Sequence, residues 1–203
     1  MHPIHNVQDW DAPEGAIDWP RLESFLKSVK ATGQIPSEHR SHDHLNEQKD
    51  IPVSSDVARR WKGVFEEAER EWQARGEKVT WALLDGFLLY WDKEVVDSLD
   101  VRIFLRVPYD VLKQRREERH GYHTAEGALW RDPPGYFDQI VYPAYVRAHQ
   151  DVFANHDVEN GVVVTENGKV GDLVVLEPLK VEGGMDGIVD RACKVIEEKL
   201  KAL

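Results

Sequence analysis

The sequence predicts an α/β domain with a parallel core. Two observations lead there: short continuous apolar runs that read as buried strands, and amphipathic stretches at helical spacing that alternate with them. The length, 203 residues, is enough for one domain with a sizeable core, so residues 1–203 are expected to form a single domain.

Asp18 can cap a first helix through Trp19, Leu22, Phe25, Leu26 and Val29, which share one face, with Gly33 as its stop. Residues 34–53 are polar, carry two prolines and read as a loop. Ser54 or Ser55 caps a second helix whose apolar face is Val57, Trp61, Val64, Phe65, Ala68 and Trp72, ending at Gly76. Residues 78–84 are a continuous run halted by Asp85-Gly86, as expected of a parallel strand covered on both faces. Residues 101–107 predict another strand, stopped by Pro108 and followed by a basic helix from Tyr109 to Arg119. The Gly-, Pro- and Asp-rich stretch 121–135 reads as a mobile loop, and a helix is expected over 136–155. Late strands are expected at 161–165 and 173–176, joined by a hairpin turn at Asn167-Gly168. The final helix carries Met185, Ile188, Val189, Ala192, Ile196 and Leu200 on one side. The sequence contains no internal repeat and no low-complexity tract.

Composition narrows the function classes. The formal net charge of −11 opposes binding to a nucleic-acid backbone, which is driven by Lys and Arg replacing counterions. No apolar run approaches a membrane span, and the first residues lack the basic and apolar regions of a secretory signal. A lone cysteine, Cys193, leaves no internal disulfide framework and fits a reducing compartment, so the expected location is cytoplasmic or nuclear.

Several residue groups can carry chemistry. Asp85, at the carboxyl end of a predicted buried strand, lies where parallel sheets bind ligands and can hold Mg²⁺; alternatively, Asp85-Gly86 only makes a bend. Arg115 and Arg119 are four apart with Arg116 beside them, and converging guanidinium forks suit phosphate oxygens or a ribose diol. The other reading is a solvated charged face paired with Glu117 and Glu118. Tyr122 and the stretch Trp130 to Asp138 form an aromatic loop with Gly hinges, either a lid over a substrate or a packed Ω-loop. Trp10-Asp11 can stack a base and accept from sugar hydroxyls, or serve only as a helix-entry staple. His39, His42 and His44 have a spacing that can recruit Zn²⁺ or Ni²⁺, in a segment that reads as an exposed loop without a cysteine nearby.

Taken in order, these pieces resemble nicotinamide riboside kinases, especially fungal-type ones. The resemblance rests on Trp10-Asp11, Asp85-Gly86-Phe87-Leu88-Leu89-Tyr90, Pro108-Tyr109, Lys113 to Arg119, Pro134 to Asp138 and Pro143-Ala144-Tyr145, over most of residues 6–155. It implies a P-loop kinase-like fold, a three-layer parallel sheet flanked by helices. It also implies transfer of the γ-phosphoryl of ATP to the ribose 5′-hydroxyl of a small-molecule nucleoside, with Mg²⁺. By the same resemblance Asp11 binds the ribose hydroxyls, Trp10 and Tyr122 face the nicotinamide ring, and Arg116 binds substrate. Arg115 and Arg119 become lid-side arginines that neutralise transferring phosphate. Asp85 becomes the acid associated with Mg²⁺, where the family commonly has Glu. Residues 120–138 become the lid.

One part of the family pattern is not found in these residues. A phosphate-binding loop needs Gly-rich backbone followed by Lys and Ser/Thr at the mouth of a helix. Asn167-Gly168-Lys169-Val170 lacks the preceding Gly and the hydroxyl. The expectation is therefore a domain without its first strand–P-loop–helix unit and without the probable catalytic Asp, poorly stable alone and inactive as a kinase. A non-catalytic nucleoside-binding protein, or a kinase for another nucleoside such as uridine, are the competing expectations.

Overall fold

A computed structural model describes residues 1–40, 50–119, 121–123, 128–165 and 168–202. It is a mixture of helices and short strands with one small parallel sheet. The chain gathers into two compact units. One comprises Met1–Gln48, Gly86–Leu99 and Val107–Gly171; the other comprises Lys49–Asp85, Asp100–Arg106 and Asp172–Leu203.

In the first unit, helix α1 (Trp19–Thr32) begins where predicted, with the Asp18 side chain accepting from the Arg21 N–H at 3.2 Å. Gly33 closes it in the left-handed region at φ 67°, a conformation that costs glycine nothing. Helix α3 (Lys93–Ser98), which the sequence reading did not assign, is started by Asp92 accepting from Val95 N–H at 2.9 Å and buries Val95 and Val96. It packs on α1, with Lys27 beside Glu94 at 3.4 Å and Lys30 donating to the Ser98 carbonyl at 3.0 Å. Helix α4 (Tyr109–Glu117) follows Pro108 and stops two residues short of Arg119. Strands β2 (Tyr122–His123) and β3 (Leu129–Trp130) pair antiparallel, Tyr122 opposite Trp130.

The single helix expected over 136–155 is instead a series. A π turn (Phe137–Val141) leads into α5 (Tyr142–His149), followed by 3₁₀ turns at Gln150–Val152 and Ala154–His156. Pro143 explains the change, since it has no N–H for the α ladder. Tyr142 N–H bonds Phe137 carbonyl, one residue further back than an α-helix would. The core of this unit is Leu88, Val95, Tyr136, Phe137, Ile140, Val152, Phe153 and Val170, all buried. Each such large apolar side chain contributes about 1.5–3 kcal/mol on burial.

In the second unit, helix α2 (Ser55–Ala74) is capped by Ser54 Oγ accepting from Val57 N–H at 3.3 Å. It packs on helix α6 (Gly184–Lys201), where Asp190 accepts from Trp61 Nε1 at 2.7 Å and pairs with Arg60. Strand β1 (Arg102–Leu105) runs parallel to β4 (Leu173–Leu176), in register from Arg102 opposite Leu173 to Leu105 opposite Leu176.

Two strand expectations are corrected. Residues 78–84 form no strand. An apolar run becomes a central strand only with neighbours on its edges. Here Leu83 is 97% exposed, and Trp81 lies along α2, its ring 5.3 Å from Phe65 and its Nε1 2.5 Å from Glu69. The predicted hairpin of 161–165 with 173–176 does not form either. Val163 makes only an isolated bridge to Phe153, and β4 takes β1 as its parallel partner; Asn167 of the predicted turn lies outside the described residues. Among the described residues no helix is long and apolar enough to cross a membrane.

Candidate functional site

The site is assembled in the first unit, from the N-terminal turn, α4 and the segment after β3. Asp9 Oδ1 accepts from the N–H groups of Asp11 (3.1 Å) and Ala12 (2.8 Å). This Asx-type turn aims the Asp11 side chain inward, where it is only 7% exposed. Arg116, near the end of α4, meets it there with Nη1 to Oδ1 at 3.1 Å and Nη2 to Oδ2 at 3.4 Å. The same guanidinium donates from Nε to Asp132 Oδ2 at 2.5 Å and from Nη2 to Asp132 Oδ1 at 3.2 Å. One cation thus holds two carboxylates in a bidentate arrangement. Burial pushes the Asp11 carboxyl above the usual carboxylate range, and the Arg116 charge opposes that rise.

Aromatic side chains wall this pair. The rings of Trp10 and Trp130 meet edge to face at 6.1 Å, and Trp130 lies 5.7 Å from Tyr136. Tyr136 is buried; its hydroxyl donates to the Gln8 carbonyl at 2.9 Å and accepts from Trp10 N–H at 3.3 Å, and Arg116 lies 5.8 Å from its ring centre. Trp130 Nε1 donates to Asp132 Oδ1 at 2.8 Å. Alongside is an open pocket of about 500 Å³ whose lining includes Arg116, Arg119, Arg131, Asp132, Tyr136 and Phe137. Lys113 reaches Asp138 at 2.7 Å, with the Tyr109 hydroxyl on the same carboxylate, which ties α4 to the π turn.

The sequence-predicted residues distribute unevenly. Asp11 and Arg116 come together, with Trp10 adjacent and 40% exposed. Arg119 lies beyond the end of α4 and lines the pocket, whereas Arg115 is exposed and is not part of its lining. Tyr122 stands opposite Trp130 in the backbone pairing. Asp85 is exposed on irregular chain in the second unit rather than at the end of a strand. His39 is exposed, its ring 4.9 Å from Phe25; His42 and His44 lie outside the described residues. Among the described residues no three His, Cys, Asp or Glu side chains gather as a metal-ion cluster. Sequence reasoning missed the roles of Asp132 and Tyr136. The available signal was an acid two residues after a Trp and just before Pro133-Pro134, which fix the backbone that carries it.

Known proteins are similar to this chain over much of its length. The nicotinamide riboside kinase of Eremothecium gossypii is 33% identical over 162 residues, covering 80% of this chain and 63% of its own. That of Saccharomyces cerevisiae is 34% identical over 156 residues (76% and 62%), and that of Schizosaccharomyces pombe 31% over 162 residues (77% and 64%). Over the stretch they share, the chain is similar to nicotinamide riboside kinases. It spans less than two thirds of the length of each of these relatives. No family model matches the chain, and no solved structure matches it. Of the nicotinamide riboside kinase pattern, Trp10-Asp11, Gly86 to Tyr90, Pro108-Tyr109, Lys113 to Arg119, Pro134 to Asp138 and Pro143 to Tyr145 all fall in the first unit; Asp85 falls in the second.

Proposed function

We propose that the first unit binds nicotinamide riboside and serves its ATP-dependent phosphorylation at the ribose 5′-hydroxyl to nicotinamide mononucleotide. The observation that carries this reading is the buried Asp11–Arg116 pair set beside the Trp10 and Trp130 rings. Asp11 is the acceptor for the ribose hydroxyls, with Arg116 holding its carboxylate in place. The two indoles offer ring contact to the base. Asp11 and Asp132 outnumber Arg116 by one charge, which suits a nucleoside whose pyridinium ring is cationic. Arg119, on the pocket wall, supplies positive charge toward a phosphate group. By the resemblance, Arg115 joins it in that role, Tyr122 is the second aromatic against the nicotinamide ring, and residues 120–138 act as the lid. In this reading the β1–β4 pair is part of a three-layer parallel sheet of P-loop kinase type, and residues 1–203 are a single nucleoside-kinase-like domain that does not include the strand–P-loop–helix unit, acting in the cytoplasm.

ATP and Mg²⁺ belong to the reaction so proposed. The described residues do not themselves assemble a magnesium site, because Asp85 stands exposed without a cluster of further acids. No step is therefore assigned to that residue.

Isothermal titration of the protein with nicotinamide riboside and with uridine tests the reading, alongside chromatographic detection of nicotinamide mononucleotide when ATP and Mg²⁺ are added. Nicotinamide riboside is expected to bind in preference to uridine. Asp11→Asn should weaken it roughly 10- to 100-fold, the worth of hydrogen bonds to a charged acceptor. Equal binding of uridine, or no effect of Asp11→Asn, would refute the assignment. Binding without turnover would establish a nucleoside-binding protein instead.

A further inference from the structure

Asp132 holds two donors that belong to different walls of the site. Its carboxylate takes Arg116 Nε at 2.5 Å and Nη2 at 3.2 Å, and Trp130 Nε1 at 2.8 Å. We propose that Asp132 is a positioning residue, which sets affinity for the nucleoside by fixing the Trp130 indole against Trp10 and the Arg116 guanidinium against Asp11. The inference rests on the nucleoside-binding reading given above.

Three physical points support it. An indole has a single N–H and no acceptor, so a Trp130 bound to Asp132 has no donor left for a ligand and meets a base only through its ring. The guanidinium is a rigid planar fork, and carboxylates on two of its edges, Asp11 on one and Asp132 on the other, leave its plane no rotational freedom. The backbone that carries Asp132 is itself stiff. It follows β3 directly, is succeeded by Pro133 and Pro134, and is closed by Tyr136 N–H donating to the Pro133 carbonyl at 3.0 Å. A carboxylate held this way pre-sets the two groups before a ligand arrives, so less ordering remains to be done on binding.

The test combines titration with nicotinamide riboside and the indole ¹H–¹⁵N resonance of Trp130, assigned by loss in Trp130→Phe. Asp132→Asn keeps the shape, removes the charge and turns an amide N–H₂ toward donors. It is expected to weaken binding roughly tenfold, the scale of a charged hydrogen bond and of small misplacements at a site. It should also shift the Trp130 indole resonance in the ligand-free protein. In the Trp130→Phe background the same substitution should cost only about threefold. Asp132→Glu keeps the charge and displaces the carboxylate by one methylene, with an expected loss of about threefold. It serves as the test where Asp132→Asn does not fold. Wild-type binding with unaltered affinity in Asp132→Asn, or in Asp132→Glu where only that variant folds, overturns the positioning role alone. So does a tenfold loss undiminished in the Trp130→Phe background, or an unmoved indole resonance. Wild-type protein that binds no nicotinamide riboside overturns the nucleoside reading and this inference with it.

Discussion

Replacing Arg116 with methionine removes the cation shared by Asp11 and Asp132 while keeping most of the side-chain volume. Arg116 is 19% exposed and Asp11 7%, so the pair is largely shielded from water. Breaking a buried pair from one side costs about 3–5 kcal/mol, because the remaining charge is left uncompensated. The residual exposure of Arg116 places the expected loss near the lower end, about 3 kcal/mol at neutral pH. For a chain of this size that lowers Tm by roughly 6–12 °C. The pH dependence is the sharper signature. The folded-state pKa of Asp11 already lies above its ordinary 3.8, chiefly through burial. A raised carboxyl contributes stability that is present below the ordinary pKa and lost as pH rises through the folded value. Without Arg116, and with Asp132 left as a like charge, the folded value climbs further. The stability gap between wild type and Arg116→Met should therefore narrow as pH falls from 7.5 toward 4, since Asp11 becomes neutral in the variant. Urea unfolding followed by tryptophan fluorescence at several pH values measures the gap, and taking the difference cancels groups common to both proteins. A gap below about 1 kcal/mol at pH 7.5, or one that widens in acid, would refute the reasoning.

Two further perturbations probe the scaffold of the same unit. His149 is buried, with Nδ1 2.8 Å from the Tyr145 carbonyl, and burial pushes its pKa down to about 4 from 6.5. Its neutral form therefore supports the fold above pH 6.5, and that support is lost as pH falls toward 4. This amounts to about 3 kcal/mol, and His149→Gln should flatten that slope in urea titrations. Gly121 has φ +122°, and a Cβ there would sit 2.7 Å from the Trp130 carbonyl. Gly121→Ala is expected to cost about 1–3 kcal/mol and to loosen the β2–β3 pairing, read as faster amide hydrogen exchange at Trp130.

Much of the fold was legible from local chemistry. Asp18 and Gly33 bracket α1, Ser54 starts α2, and the apolar stripe from Met185 to Leu200 marks α6; each depends on neighbours within a turn or two. The errors lie where distant residues decide. Residues 78–84 have the composition of a buried strand, but composition cannot supply the flanking strands that would bury them. The break between the π turn and α5 follows from Pro143, visible in the sequence, yet the pattern of apolar residues around it still read as one helix. At the site, Trp10-Asp11 and Arg116 were singled out through the order of motifs in the resemblance, and the structure sets Asp11 against Arg116. Asp132 was not, because its role arises from one donor two positions away and another sixteen positions away. Asp85 was read through the strand it was expected to end, and it lost that setting when the strand did not form.

The π turn at Phe137–Val141 has a consequence for how this chain tolerates change. It holds one residue more than an α-helix needs to span the same rise, and successive α-helical residues are about 100° apart around the axis. Deleting one residue within it would let the segment relax into an α-helical path of the same rise. The surplus residue is absorbed inside the turn, so α5 would keep its facing against Tyr136 and the buried face upstream, with Ala144, Ala148 and His149 still inward. A one-residue deletion inside α5 itself has no such slack: the residues beyond it would turn by roughly 100°, carrying His149 toward solvent. Length is thus more forgiving in the π turn than in the helix that follows it.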